Sequence, residues 1–205
     1  MGCYSFYNED FKEHALNVYK CVKNDARLPI ITRKFSLIMN ASNIEKMIKD
    51  LILISALFHD LGKAIKYYQE GDLRRFPGHD FVGALIMKEA ITYISNKCSS
   101  TSTIYNNDYM KYIIEYILIS GSLFHLYLHR GKEEGWKIYG MEEIREDGLE
   151  ISKECIHSIL DTLNSFKGQA SKESKALIEC IAEAFESGKV NEYLKQYWRT
   201  DLKKY

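Results

Sequence analysis

The sequence predicts an all-α domain, and three observations carry that expectation. Of its 205 residues 46% are apolar and only two are prolines, which is the composition of a helical globular chain and not of a disordered one. Apolar residues recur three and four positions apart along most of the chain, the period of a helix face. No segment reads convincingly as a strand with a hairpin turn, Trp136 to Met141 being the nearest candidate. The length fits one domain spanning 1–205, with a core over about 8–130, a mobile excursion over 131–150 and helices over 151–205 that complete the bundle.

The first helix is expected from about Asn8 to Asn24, with Asn8 as its cap, Glu9 and Asp10 in its first turn, and Phe11, Ala15, Val18 and Val22 turned inward. His14 lies beside that stripe. A short helix follows over Pro29 to Met39, with Pro29 in a permitted first-turn position. Asn43 is expected to cap a central helix running through Ile44, Met47, Ile48 and Leu51 into an adjacent His59-Asp60 pair, with Gly62 loosening or kinking it. After a loop at Arg74 to Gly78, His79 and Asp80 open a helix with Phe81, Val82, Leu85, Ile86, Ala90 and Ile94 on its apolar face. At that start His79 reads either as a neutral ligand or as a loop residue beside an Asp80 cap.

Lys97 to Asp108, rich in Ser, Thr and Asn, reads as a surface loop. From Tyr109 a strongly apolar helix is expected to reach His125 and His129, which stand four apart and so project from one face. Three more helices are expected at about Ser152 to Phe166, Ser171 to Ser187 and Val190 to Trp198, joined by turns at Gly168 and Gly188.

Charge and cysteine usage narrow the function classes. Lys plus Arg equals Asp plus Glu at 28 each, so the molecule has no overall field for nucleic acid and any such binding must come from a local patch. Five cysteines, at 3, 21, 98, 155 and 180, are odd in number, widely spaced and without C-x-x-C. Neither a disulfide framework nor a thiolate zinc site is expected from them, and a reducing cytoplasm is the natural setting. No secretory signal is expected at Met1 to Asp10, and the longest apolar stretches are broken by Lys49 with Asp50 or by Glu115, short of the roughly 20 residues of a membrane span.

The stretch Leu57 to Gln69 reads Leu-Phe-His-Asp-Leu-Gly-Lys-Ala-Ile-Lys-Tyr-Tyr-Gln. An imidazole and a carboxylate at the end of the apolar run Leu51 to Phe58 would suit divalent first-row ions, because a rigid helix holds ligands in place. The pair alone is weak evidence. Its weight comes from the ordered series His14, His59-Asp60, His79, His125 and His129, carried on different helices except for the last two.

That series resembles the HD-domain metal-dependent phosphohydrolases, an all-α helical-bundle superfamily. The run His59-Asp60-Leu61-Gly62-Lys63, then Tyr68-Gln69, then Gly78-His79-Asp80 is similar to the stand-alone HD nuclease subunit of type I CRISPR systems, and the resemblance spans roughly His14 to Gly131. It implies one or two divalent ions held by His14, His59, Asp60, His79, His125 and His129, with Asp60 and Lys63 as catalytic residues and Lys63 on the reacting phosphate. Mn, Ni, Co, Fe or Zn suits such a donor set better than Mg. Three positions depart from the family pattern: Arg130 follows His129 where a second His is usual, Gly83 stands where Ser is usual, and Glu183 falls where a late Asp ligand would stand, Asp161 being a less well-placed substitute.

The resemblance further implies single-stranded DNA as substrate, a separate CRISPR helicase subunit and guide-RNA surveillance complex as partners, and no membrane. Lys63, Lys66, Arg74, Arg75, Arg130 and Lys132 would supply a local basic rim; Tyr67, Tyr68 and Phe76 would either stack bases or belong to the core. The chain has no G-x-x-x-x-G-K-[ST] loop and so no ATP motor of its own. An HD hydrolase of nucleotides or cyclic nucleotides, and an inactive HD interaction module, are the alternatives.

Overall fold

The computed structural model describes residues 2–39, 44–97, 108–123 and 144–200. It is 74% helical, as the periodicity predicts. The exception is at the start. Tyr4–Phe6 (β1) and Glu9–Asp10 (β2) pair as an antiparallel hairpin, with Tyr4 opposite Asp10 and Phe6 opposite Glu9. The first helix therefore begins later than its sequence suggests: α1 is Phe11–Lys23, and its cap is Asp10, whose carboxylate accepts from the Glu13 amide, not Asn8. Phe11, Ala15 and Tyr19 form its buried face.

Two helices follow. Arg27–Ile38 (α2) and Glu45–Leu57 (α3) bracket a connection whose expected cap, Asn43, lies outside the described residues. α3 is the axis of the domain and packs against α1 and α2. Ile48, Leu51 and Ile54 are fully buried on it, and each contributes about 1.5–3 kcal/mol of transfer free energy. α2 is turned the other way: Leu28, Thr32 and Ser36 face inward, while Ile30, Ile31, Leu37 and Ile38 are 52–80% exposed.

α3 stops at Leu57 with Phe58 as its cap, so His59 and Asp60 stand in the turn beyond the helix and not on it. A short 3-10 turn, Leu61–Ala64, and the single-turn helix Lys66–Gln69 (α4) come next, and then His79–Lys97 (α5) begins at His79 as expected, just after Gly78 with φ of 74°. Gly62 is not a kink. A Cβ there would meet the His79 carbonyl oxygen at 1.8 Å and the Gly83 amide nitrogen at 2.6 Å, so the His-Asp turn lies backbone to backbone on the first turns of α5. Gly83, where the family resemblance leads one to expect Ser, is the other half of that contact.

Asp108–Ser122 (α6) packs on α3 and α5. Lys153–Lys167 (α7), Lys172–Glu186 (α8) and Lys189–Thr200 (α9) complete the described bundle, with α8 and α9 against α5 and α7 against α1. The part of the expected excursion that is described, 144–150, belongs to the core: Ile144 and Leu149 are buried, and Lys66 and Tyr67 donate their amides to the carbonyls of Glu150 and Gly148. The rest of that excursion, and Trp136 to Met141 within it, lies outside the described residues.

The cysteine expectation is corrected. Cys3 and Cys155 are joined by a disulfide, both sulfurs buried, and Cys180 is also disulfide-bonded; Cys21 is free and exposed. Spacing in sequence could not reveal a pair 152 residues apart, because only three-dimensional proximity decides which thiols can join. Among the described residues no helix is long and apolar enough to cross a membrane.

Candidate metal centre

Three elements converge at the end of α3. α1 brings His14, the turn after α3 brings His59, Asp60 and Lys63, and α5 brings His79 and Asp80. His14 Nε2 stands 3.1 Å from Asp60 Oδ2 and 3.3 Å from His59 Nε2, and His59 Nε2 is 3.4 Å from the same carboxylate oxygen. His79 Nε2 lies 3.3 Å from the other oxygen, Asp60 Oδ1, and 3.4 Å from Asp80 Oδ1. Asp60, only 4% exposed, thus turns one oxygen to each of two clusters.

The backbone selects the tautomers. His59 Nδ1 donates to the Ala56 carbonyl at 2.9 Å, and His79 Nδ1 donates to the Phe76 carbonyl at 2.6 Å. With Nδ1 bonded to the backbone, Nε2 is the nitrogen each ring turns to the carboxylate, as a proton donor while the ring is charged and as a metal ligand once that proton is lost. A carboxylate flanked by the Nε2 atoms of three rings, two of them held from behind by backbone carbonyls, is the arrangement of metal ligands held by outer hydrogen bonds. His14, His59 and Asp60 each offer one ligand atom, all within 4.8 Å of one another. The residues present therefore fit a divalent first-row ion, with nitrogen and oxygen donors mixed.

Charge at the site agrees with that chemistry. Burial opposes ionisation of Asp60, but hydrogen bonds from His14 and His79, with the charges of His59 and Lys63, hold its carboxyl well below the usual range. It is a carboxylate. The hydrogen bond to Asp60 raises the His14 pKa against the opposing effect of burial, with Glu9 adding to the rise. Bound metal would have to displace that proton. Lys63 is not a solvated helix lysine: it is buried, its ammonium is 2.8 Å from Asp60 Oδ2, and it lies 4.9 Å from the centre of the Phe76 ring.

Other candidates fall elsewhere. Glu183 is exposed on α8 and accepts from Tyr93 Oη at 2.9 Å. Tyr93 lies near the far end of α5 from His79, about 20 Å along the helix axis at 1.5 Å per residue, so Glu183 is not brought to the cluster. Asp161 is exposed and paired with Lys12. Lys66 is engaged with Glu150 at 2.8 Å, Arg74 lies over the Tyr7 ring, and Arg75 is exposed. Tyr68 and Phe76 are core residues stacked edge-on, so they are not a base-stacking surface, and Tyr67 is half-buried against Tyr68. His125, His129, Arg130 and Lys132 lie outside the described residues.

Two contributors were not read from the sequence as parts of the site. Glu9 Oε2 stands 3.0 Å from His14 Nδ1; it precedes α1 and has no helical spacing to His14, so only the hairpin brings it there. Gln69 accepts from the Tyr4 amide and donates to the carbonyls of Tyr4 and Lys63, tying the hairpin to the His-Asp turn. Its place in the Tyr68-Gln69 motif was the available signal. Comparison of the chain with protein-family models, with curated proteins and with solved structures gave no match.

Proposed function

We propose that this chain is a metal-dependent phosphodiesterase that degrades single-stranded DNA, the nuclease subunit of a type I CRISPR-like interference system working beside a separate helicase and a guide-RNA surveillance complex. The observation that carries the reading is the carboxylate of Asp60, buried and facing imidazole nitrogens on both sides. A structural carboxylate in a core is ordinarily satisfied by backbone amides or a single cation, whereas three histidines and a lysine surround this one.

One or two divalent ions held by His14, His59, Asp60 and His79 would activate a water and offset charge on a phosphate. The chain's own residues do the rest. His59 and His79 are locked by the Ala56 and Phe76 carbonyls, so their lone pairs need no reorientation. The Lys63 ammonium, fixed against Asp60 and Phe76, is placed to meet a phosphate oxygen at the same centre. Arg75 and Arg74, exposed on the loop before α5, are the described cations that would follow the strand. For a cytoplasmic enzyme the Cys3–Cys155 disulfide would have to resist cellular thiols, and residues that are 2% and 0% exposed hold it away from them.

The test is cleavage of labelled single-stranded DNA by metal-stripped protein given back manganese, nickel or magnesium, beside Asp60→Ala. Metal-dependent cutting that disappears in the variant supports the nuclease. Turnover of free nucleotides without strand cutting would replace it with a nucleotide phosphohydrolase. A protein that binds no ion would be an inactive module.

A further inference from the structure

We propose that Glu9 is a positioning residue of the metal centre, and that the N-terminal hairpin is there to carry it. The inference rests on the metal-centre reading of the site but not on the substrate assigned to it.

His14 differs from the other two histidines in how its outer nitrogen is held. His59 and His79 each give Nδ1–H to a backbone carbonyl within their own local segment, three residues back. His14 is on a regular stretch of α1, where the carbonyls behind it are taken by the helix ladder. Its Nδ1 faces Glu9 Oε2 at 3.0 Å instead, while its Nε2 faces Asp60 and His59. A carboxylate on Nδ1 fixes the ring's tautomer and rotation, and makes Nε2 a stronger donor than a carbonyl does.

Glu9 is not an ordinary first-turn acid. It precedes the Asp10 cap, sits in β2, and the acid of the first turn is Glu13. The hairpin that holds it is anchored at several points. Gln69 bonds both the amide and the carbonyl of Tyr4, the Phe11 amide bonds the Cys3 carbonyl, and Cys3 is joined to Cys155 at the start of α7. The same Gln69 also donates to the Lys63 carbonyl at 2.7 Å. One side chain thus sets the hairpin against the turn bearing Asp60, which fixes the distance His14 must span. Two paired strands of three and two residues would be marginal without such anchors.

The test is calorimetric titration of Mn2+ into the metal-free full-length chain, comparing the native protein with Glu9→Ala and Glu9→Gln, with a thermal melt of each metal-free protein as control. Glu9→Ala is expected to weaken Mn2+ binding about 10–100-fold without changing the metal-free melt. Glu9→Gln is expected to fall between, since the amide oxygen still accepts the Nδ1 proton but carries no charge. Native affinity in Glu9→Ala overturns the proposal, as does a loss matched by a collapse of the metal-free melt. Gln as damaging as Ala would make Glu9 a direct ligand and also overturn it. A native protein that binds no Mn2+, nor nickel or zinc in its place, would remove the metal-centre reading itself.

Discussion

α1 and α2 are neighbours of nearly equal length that both pack on α3, yet they present opposite faces to it. α1 buries Phe11, Ala15 and Tyr19 and leaves its lysines outside, as an amphipathic helix should. α2 buries Leu28 with Thr32 and Ser36, whose hydroxyls turn back to the Leu28 and Arg33 carbonyls. Its outer face is Ile30, Ile31, Leu37 and Ile38. Beside it α6 exposes Tyr109, Tyr112 and Tyr116, and Tyr109 Oη reaches the Met39 carbonyl at the end of α2. Seven of the nine exposed large apolar side chains among the described residues stand on these two helices, so the exposure is concentrated and not the scatter normal on a surface. α1 is explained by this chain's own folding and by the site it serves. Among the described residues, little covers the outer face of α2.

That contrast can be broken by mutation. Phe11→Ala, at a position 1% exposed, should cost about 3–5 kcal/mol, lowering the thermal midpoint by roughly 6–20 °C for a domain of this size. A drop within a degree or two in a melting experiment would mean that α1 is not the anchor described above. Ile31→Glu combined with Ile38→Glu should change stability by no more than about 0.5 kcal/mol, measured by urea unfolding. A loss well above 1 kcal/mol would show that the outer face supports the fold after all.

The smallest effect sits at the joint between the two helices. The Arg27 guanidinium, hydrogen-bonded to Asp25, holds that carboxyl at about 2. Because the native pKa is depressed, any stabilisation is complete above the ordinary aspartate pKa and is lost as pH falls through about 2. Solvent screens this exposed pair, so global unfolding should not register it. A carboxyl-carbon NMR titration should, with the midpoint rising toward the ordinary aspartate range in Arg27→Ala, which keeps only the amide at 27 as donor; an unchanged midpoint would remove the pair from the account.

The helical class was legible because long periodic runs such as Glu45 to Leu57 leave no other way to bury their apolar faces. The convergence of His14, His59, Asp60, Lys63 and His79 was legible as a candidate cluster because their order along the chain is a sequence property, with His14 inside α1 and the others in the turn after α3 or at the start of α5. What was not legible depends on contacts distant in sequence. Asp10 displaces Asn8 as cap because Tyr4 pairs across to Asp10. Gly62 looks like a helix breaker until the α5 backbone is seen against it. Glu183 matched a family position by spacing, but α8 directs it to Tyr93, away from the His-Asp turn. Ile144 and Leu149 lie in a charged, glycine-bearing stretch whose few apolar residues reach the core only because Lys66 and Tyr67 tie it down.

The Cys3–Cys155 bond closes residues 3–155 into a covalent ring. His14, His59, Asp60, Lys63 and His79 are all members of that ring, whereas α8, itself held by a disulfide at Cys180, and α9 follow it in the chain. A protease cutting any one loop between Cys3 and Cys155 would leave both pieces linked, migrating as one species until reduced. During synthesis the ring cannot close until Cys155 has left the ribosome, roughly 10–30 s after Cys3 at 5–20 residues per second. The hairpin bearing Glu9 is therefore made first, while its covalent anchor can close only after residue 155 is made.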